Sequence, residues 1–401
     1  MIRAISKPNR KKAGAYRSCL LLLCLIAITV PATAEPLLPG PPAAIRVEFT
    51  ADRIAVTAIQ GYSSRSTGRA LMPDDPVRIA SVSKLFVALG VMRLVEKGVL
   101  DLDSDVGDYL GWPLRNPAFP EKTITLADLL SHQSGLRDGI NYALPMDSLL
   151  REELTDPRAW DSSHPPGTYF TYANLNFPVI AAIMEAASGK RFDRIMQDEV
   201  FAPLRLDACF NWINCSDAKV AGAVTLYRPD GSIARDDLRG RRESCPIVPA
   251  RDGSCDISRY RLGKTGSIFS PQGGLRISAI DLAKVGQIFL NQGKGFLTPV
   301  SLARMTQARF VAAGLAEQEG NSEAGYYCLY GLAVEILPPS RSAPAGCDTA
   351  SAETPVHGHS GEAYGLKSGL WWNPETGKGV AFFRTEVPDD DPAGHCIYFC
   401  D

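Results

Sequence analysis

The chain has 401 residues, with 42 Lys and Arg against 44 Asp and Glu and a formal charge of −2. That near balance contains no basic cluster, which argues against nucleic-acid binding, and the length is ample for a large core. Ten cysteines, in contrast, make the redox compartment a central question.

Six Lys or Arg residues precede an apolar run, Cys19 to Val30, that closes on Ala32-Thr33-Ala34. This is the pattern of a signal peptide over residues 1–34, and the run is short for a membrane span. The expectation is an exported chain starting near Glu35, periplasmic or secreted, with no stable membrane span after cleavage. Its 36 basic and 44 acidic side chains strengthen the case against a nucleic-acid partner. Eight cysteines remain, and near-neighbour closure (209 with 215, 245 with 255, 328 with 347, 396 with 400) costs least loop entropy. Zinc is the rival use of these thiols, but the spacings are not those of paired C-x-x-C knuckles.

Residues 44 to 66 alternate apolar and polar side chains, which predicts two strands. Ser81-Val82-Ser83-Lys84 then opens an apolar helix that runs to about Gly98. Residues three apart share a helix face, so the Lys84 amine can reach the Ser81 hydroxyl and help remove its proton. A serine needs such a base to act as a nucleophile, and the pair points to covalent acyl transfer. Ser216-Asp217-Ala218-Lys219 repeats the spacing without an apolar helix behind it and reads as a chance copy.

Helical periodicity recurs at 126–131, 175–187, 192–201 and 279–291, with Pro178 acceptable only in a first helical turn. Residues 207–265 hold four cysteines and little periodicity, and read as a cross-linked irregular excursion. Strands are predicted at 330–337, 363–372 and 379–386, the last two joined by the turn Asn373-Pro374-Glu375-Thr376-Gly377-Lys378. The sheet is therefore expected from both ends of the chain, in 35–80 and about 266–401, with the mainly helical residues 81–206 and the excursion between.

Two further segments carry candidate chemistry. Tyr172-Ala173-Asn174 supplies a phenol able to pass a proton from serine to a leaving group, and an amide able to orient Lys84 or bind substrate. The same residues also suit a packing tyrosine and a helix cap. Gly358-His359-Ser360-Gly361-Glu362 offers a strand that substrate can approach, with the Glu362 amide pairing with that of Ser81 as oxyanion donors. His357 and His359 are alternatively metal ligands, although no carboxylate or further histidine stands at a supporting spacing.

With these segments, the chain resembles the class C β-lactamase and D-alanyl-D-alanine carboxypeptidase superfamily of serine hydrolases, which includes family VIII esterases and D-amino-acid amidases. The marks are Arg78-Ile79-Ala80-Ser81-Val82-Ser83-Lys84, the segment from Ile124 to Leu136, Tyr172-Ala173-Asn174, Gly273-Gly274-Leu275-Arg276 and His359-Ser360-Gly361. The resemblance implies an α/β (α+β) fold of β-lactamase/transpeptidase type, an antiparallel sheet flanked by helices plus an inserted all-helical domain. It implies Ser81 as nucleophile, Lys84 and Tyr172 sharing base and acid work, and Asn174, His359, Ser360, Gly361 and Glu362 lining the substrate and oxyanion site. No metal and no cofactor are implied, and the partner is a small-molecule or peptide substrate.

His132 and Ser134 belong to a turn of that family and read as structural, whereas Lys264-Thr265-Gly266 spells its third motif at the wrong place and is a decoy. A class C lactamase would carry lysine where His359 stands, and Glu362 shares a strand face with Ser360 where a substrate carboxylate would bind. Neutral esters or amides are therefore the expected substrates. The rivals are a D-Ala-D-Ala carboxypeptidase or β-lactamase, and a catalytically silent peptidoglycan- or peptide-binding relative. The acidic tail from Pro388 departs from the family, whose members usually end in a helix on the sheet.

Overall fold

The alternating stretch near the N-terminus forms β1 (Ala44–Thr50) and β2 (Ile54–Gln60). Ile45, Val47 and Phe49 of β1 point into the core, as period-two alternation requires, and β2 is a largely exposed edge. This computed structural model describes residues 38–313, 320–388 and 391. The expected signal peptide and the expected pairing of Cys396 with Cys400 lie outside the described residues.

Six later strands complete the sheet: β3 (Phe310–Val311), β4 (Leu329–Tyr330), β5 (Glu335–Leu337), β6 (Val356–Ala363), β7 (Leu366–Asn373) and β8 (Lys378–Arg384). Their order is β3-β4-β5-β6-β7-β8-β1-β2, antiparallel throughout, with Ala44 opposite Arg384. The two ends of the chain thus meet in one sheet, as expected. Two strand boundaries differ from the sequence reading. Residues 330–337 are a hairpin rather than one strand, because Ala333 turns the chain at φ 53°. The strand expected at 363–372 starts at Leu366 and pairs with β6 before it, across a two-residue turn in which Tyr364 and Gly365 both have positive φ.

Between β2 and β3 lie the helices. α1 (Ser83–Glu96) is buried on nearly every side, which is what an unbroken apolar helix requires. It ends at Lys97, and Gly98 turns the chain away in the left-handed region. α2 (Leu126–Leu130) begins with a reciprocal Thr125–Asp128 capping box, and α3 (Asn176–Ser188) holds Pro178 in its first turn. α4 (Phe192–Met196) continues as a π turn to Phe201. α5 (Ala279–Leu290) packs on β1, β7 and β8 and covers one sheet face. On the sheet a separate apolar cluster joins Trp371, Val380 and Phe382 to Leu337, Val356 and Ala350, so the 338–355 connection supplies part of its cover.

Three expected disulfides are formed, Cys209–Cys215, Cys245–Cys255 and Cys328–Cys347. Within the excursion Ser216 caps the short helix Asp217–Ala221, and Lys219 pairs with Asp74 at 2.6 Å, so this Ser-x-x-Lys copy is a helix cap and an ion pair. Gly266 of the Lys-Thr-Gly decoy lies against the first turns of α3.

Candidate active site

Ser81 lies in a single 3-10 turn, Ala80–Val82, between a short strand (Val77–Arg78) and α1. The strand pairs with Leu275–Ile277, and the Ile79 amide donates to the Leu275 carbonyl at 3.1 Å, which fixes where the turn begins. Ala80 is held at φ 45°, a left-handed conformation that costs an L residue energy and persists only when its surroundings impose it.

Lys84, in the first turn of α1, is fully buried. Its Nζ is 2.9 Å from Ser81 Oγ, 2.8 Å from Asn174 Oδ1 and 2.9 Å from the Gln272 carbonyl. Burial pushes the amine down to about 7, against the opposing pull of the Asp138 and Glu335 carboxylates. A neutral amine here keeps two N–H donors for Asn174 and Gln272 and turns its lone pair toward the serine hydroxyl. Asn174 therefore orients Lys84; it is not the helix cap, since α3 has no side-chain cap.

Asp138, not singled out in the sequence, holds Asn174 in place. One of its oxygens accepts from the Asn174 amide and side-chain Nδ2, both at 2.9 Å, and the other from the Leu175 amide at 2.9 Å. Because Nδ2 is thus engaged, the Asn174 oxygen is the atom left to face Lys84. An aspartate in a glycine-containing loop reads as a turn residue, so no local signal distinguishes it.

The Tyr172 ring lies between His132, stacked at 4.4 Å, and Tyr327, stacked at 4.5 Å, and Lys84 Nζ sits 4.9 Å from its centroid. Its hydroxyl is out of solvent and makes no hydrogen bond among the described residues. Burial raises this phenol well above its ordinary range, partly opposed by the nearby Ser81 and Tyr327 hydroxyls, so it stays protonated near neutral pH. His132 accepts at Nδ1 from the Ala173 amide at 3.0 Å and the Asn176 side chain at 3.1 Å, which anchors the underside of the stack.

The third segment is β6. Gly361 packs directly on the serine turn: a Cβ there would sit 2.4 Å from the Ile79 carbonyl oxygen, so only glycine fits. From β7, Ser368 Oγ donates to that same carbonyl at 2.9 Å. His359 is fully buried, with Nδ1 at 2.6 Å from the Ser360 carbonyl and 3.0 Å from Glu335, and Nε2 at 2.9 Å from the Tyr330 hydroxyl. Ser360 donates through its amide and hydroxyl to Glu335, at 3.1 and 2.7 Å. Glu335 is thus a second unforeseen carboxylate, tying β5 to the motif on β6. Glu362 lies toward solvent, 3.8 Å from Lys367. Ser81, Lys84, Tyr172 and Asn174 converge, Gly361 abuts them, and the His359 and Ser360 side chains turn inward as supports. His357 stacks near Trp372.

A family model described as Beta-lactamase matches residues 47–397. The chain belongs to the beta-lactamase family. Its match to penicillin-binding protein 4 of Amycolatopsis lactamdurans is 30% identical over 42% of this chain and 43% of that protein. Its match to esterase EstB of Burkholderia gladioli is 28% identical over 53% of this chain and 55% of that protein. The chain thus spans only about half the length of these curated relatives. Among solved structures, EstCE1, a hydrolase with promiscuous acyltransferase activity, aligns at TM-score 0.65 and 21% identity over 89% of this chain and 92% of that one. At that identity the likeness shows a shared beta-lactamase-family fold.

Proposed function

We propose that the protein is an exported serine hydrolase that forms an acyl-enzyme through Ser81 and releases it to water. The observation that carries this reading is the 2.9 Å contact between Ser81 and an amine that burial brings to about 7. In the proposed cycle neutral Lys84 takes the Ser81 proton as the serine oxygen attacks the substrate carbonyl. Tyr172, protonated in the resting site, passes its proton to the leaving group as the lysine ammonium hands the serine's proton on to it, which leaves the phenol protonated and Lys84 neutral again. The Ser81 and Glu362 amides bind the developing oxyanion, with the close fit of Gly361 on the serine turn setting their approach.

Neutral esters or amides are the proposed substrates. Support comes from the third segment: the motif position is a histidine engaged with Tyr330 and Glu335, leaving no lysine there to meet a substrate carboxylate, while Glu362 adds negative charge at the strand's outer end. The esterase among the relatives is consistent with this preference, and the penicillin-binding protein names the competing one. The three disulfides favour an oxidising compartment, and no helix among the described residues is long and apolar enough to cross a membrane.

Labelling with a fluorophosphonate probe, mapped by mass spectrometry, tests the chemistry: modification at Ser81 that is lost in Lys84→Ala is expected, and labelling elsewhere sinks the assignment. Turnover of p-nitrophenyl acetate above that of nitrocefin is the expected substrate order; the reverse order would establish a lactamase.

A further inference from the structure

The hydroxyl of Tyr172 is out of solvent and makes no well-formed hydrogen bond among the described residues, with the Ser81 and Tyr327 hydroxyls as its near neighbours, so its position depends largely on how the ring is held. One face of that ring rests on His132 and the other on Tyr327, whose ring is nearly parallel at 6°. His132 is anchored by two hydrogen bonds next to Tyr172 itself. Tyr327 belongs to a separate segment; its amide donates to the Ser322 carbonyl at 2.9 Å, its ring packs near Phe170 and Tyr330, and the next residue, Cys328, is cross-linked to Cys347.

That segment is wrapped closely around the site. Gly320–Asn321 pairs in parallel with Phe170–Thr171, the two residues before Tyr172. Glu323, Ala324 and Gly325 then follow with φ of 49°, 59° and 98°, three consecutive left-handed residues, a conformation the chain does not hold unaided. Gly325 packs so tightly that a Cβ would lie 2.1 Å from the Gly346 carbonyl oxygen, and its own carbonyl accepts from the Asp348 amide at 2.9 Å. Both contacts flank Cys347. The loop, the cross-link and the Tyr327 ring therefore form one clamp.

We propose that Tyr327, locked by the Cys328–Cys347 disulfide, is a positioning residue that holds the Tyr172 hydroxyl in line for proton transfer, making turnover dependent on this cross-link. This inference rests on the reading of Tyr172 as the proton donor. A displaced phenol would leave binding largely intact and slow the chemical step, because proton transfer is sharply sensitive to distance.

The test uses turnover of an alkyl ester such as ethyl butyrate, whose alkoxide needs a proton to leave, by the folded protein, with circular dichroism as the check on folding. Tyr327→Leu is expected to lower kcat by roughly ten- to a hundredfold with little change in KM, Tyr327→Phe to recover most of that loss, and Cys328→Ser/Cys347→Ser to lower kcat in the same sense. In a Tyr172→Phe background Tyr327→Leu is expected to cost nothing further. A folded cysteine variant with the parent's kcat overturns the dependence on the cross-link; if that variant does not fold, Cys328→Ala/Cys347→Val, which keeps an apolar pair in the same space, takes its place. Unchanged kcat in Tyr327→Leu alongside an inactive Tyr172→Phe overturns the clamp and leaves the proton role standing. An equal loss from Tyr327→Leu in both backgrounds also overturns it. Full activity in Tyr172→Phe overturns the reading beneath it.

Discussion

The nucleophile helix and the cysteine-rich excursion are both well packed, but opposite physics holds them. α1 is apolar on almost every face, and its one buried charge-bearing side chain, Lys84, is pushed by burial down to about 7. Residues 207–265 rely on polar devices: two disulfides, the Ser216 cap, and the Arg276–Asp236 ion pair at 2.8 Å, buried at 1% and 0% side-chain exposure. Burial alone would raise Asp236, yet Arg276 holds it below the ordinary carboxylate range. Arg276 also reaches Asn211 and the Gly274 carbonyl, both at 2.7 Å. The comparison teaches that burial acts in opposite ways in the two regions: it costs the excursion a compensating ion pair, whereas at Lys84 it favours the neutral amine that the proposed mechanism needs.

That contrast is breakable in a graded way. The largest effect is expected from Ser81→Ala and Lys84→Ala, each lowering kcat/KM by about a thousandfold or more. Because Lys84 is desolvated, Lys84→Met is expected to melt no lower than the parent in a thermal scan; a large drop in Tm would mean the amine stabilises the fold. Asp236→Ala reverses the pattern: about 3–5 kcal/mol of stability should be lost by leaving Arg276 buried and unpaired, read as a shift in urea midpoint, while the folded fraction keeps its turnover. A smaller change is expected from Asp138→Asn. The Asp138 carboxylate favours protonated Lys84, so removing its charge moves the acid limb of the pH–rate profile to lower pH; a limb that stays put would deny the coupling. Smallest is Ser216→Ala, expected to cost about 1 kcal/mol through loss of the cap, with unaltered kcat because this Ser-x-x-Lys copy lies outside the site.

What was readable in the sequence follows the same division. The Ser81–Lys84 spacing, the apolar run behind it and three of the four short-loop disulfides are local properties seen in the structure, the fourth lying outside the described residues. Asp138 and Glu335 were not readable, since their partners lie 36 and 25 residues away and a lone carboxylate announces nothing about them. Gln272 escaped because it contributes a backbone carbonyl, which any residue would supply. The 330–337 hairpin is hard to read because its turn, Gly331 to Val334, carries a single glycine followed by three apolar residues, and the left-handed position falls on Ala333 rather than on that glycine. His359 was legible as a motif position but not as a buried support, since that role depends on Tyr330 and Glu335 from neighbouring strands.

The central claim is that an amine brought to about 7 by burial activates Ser81. The direct measurement is the second-order rate of fluorophosphonate labelling at Ser81 across pH 5 to 10, on the parent and on Lys84→Ala. With the free amine as base, the rate should rise about tenfold per pH unit below 7 and level off above it, and the variant should lose that limb. A profile still climbing toward pH 10, or one unchanged by removing Lys84, would contradict the account.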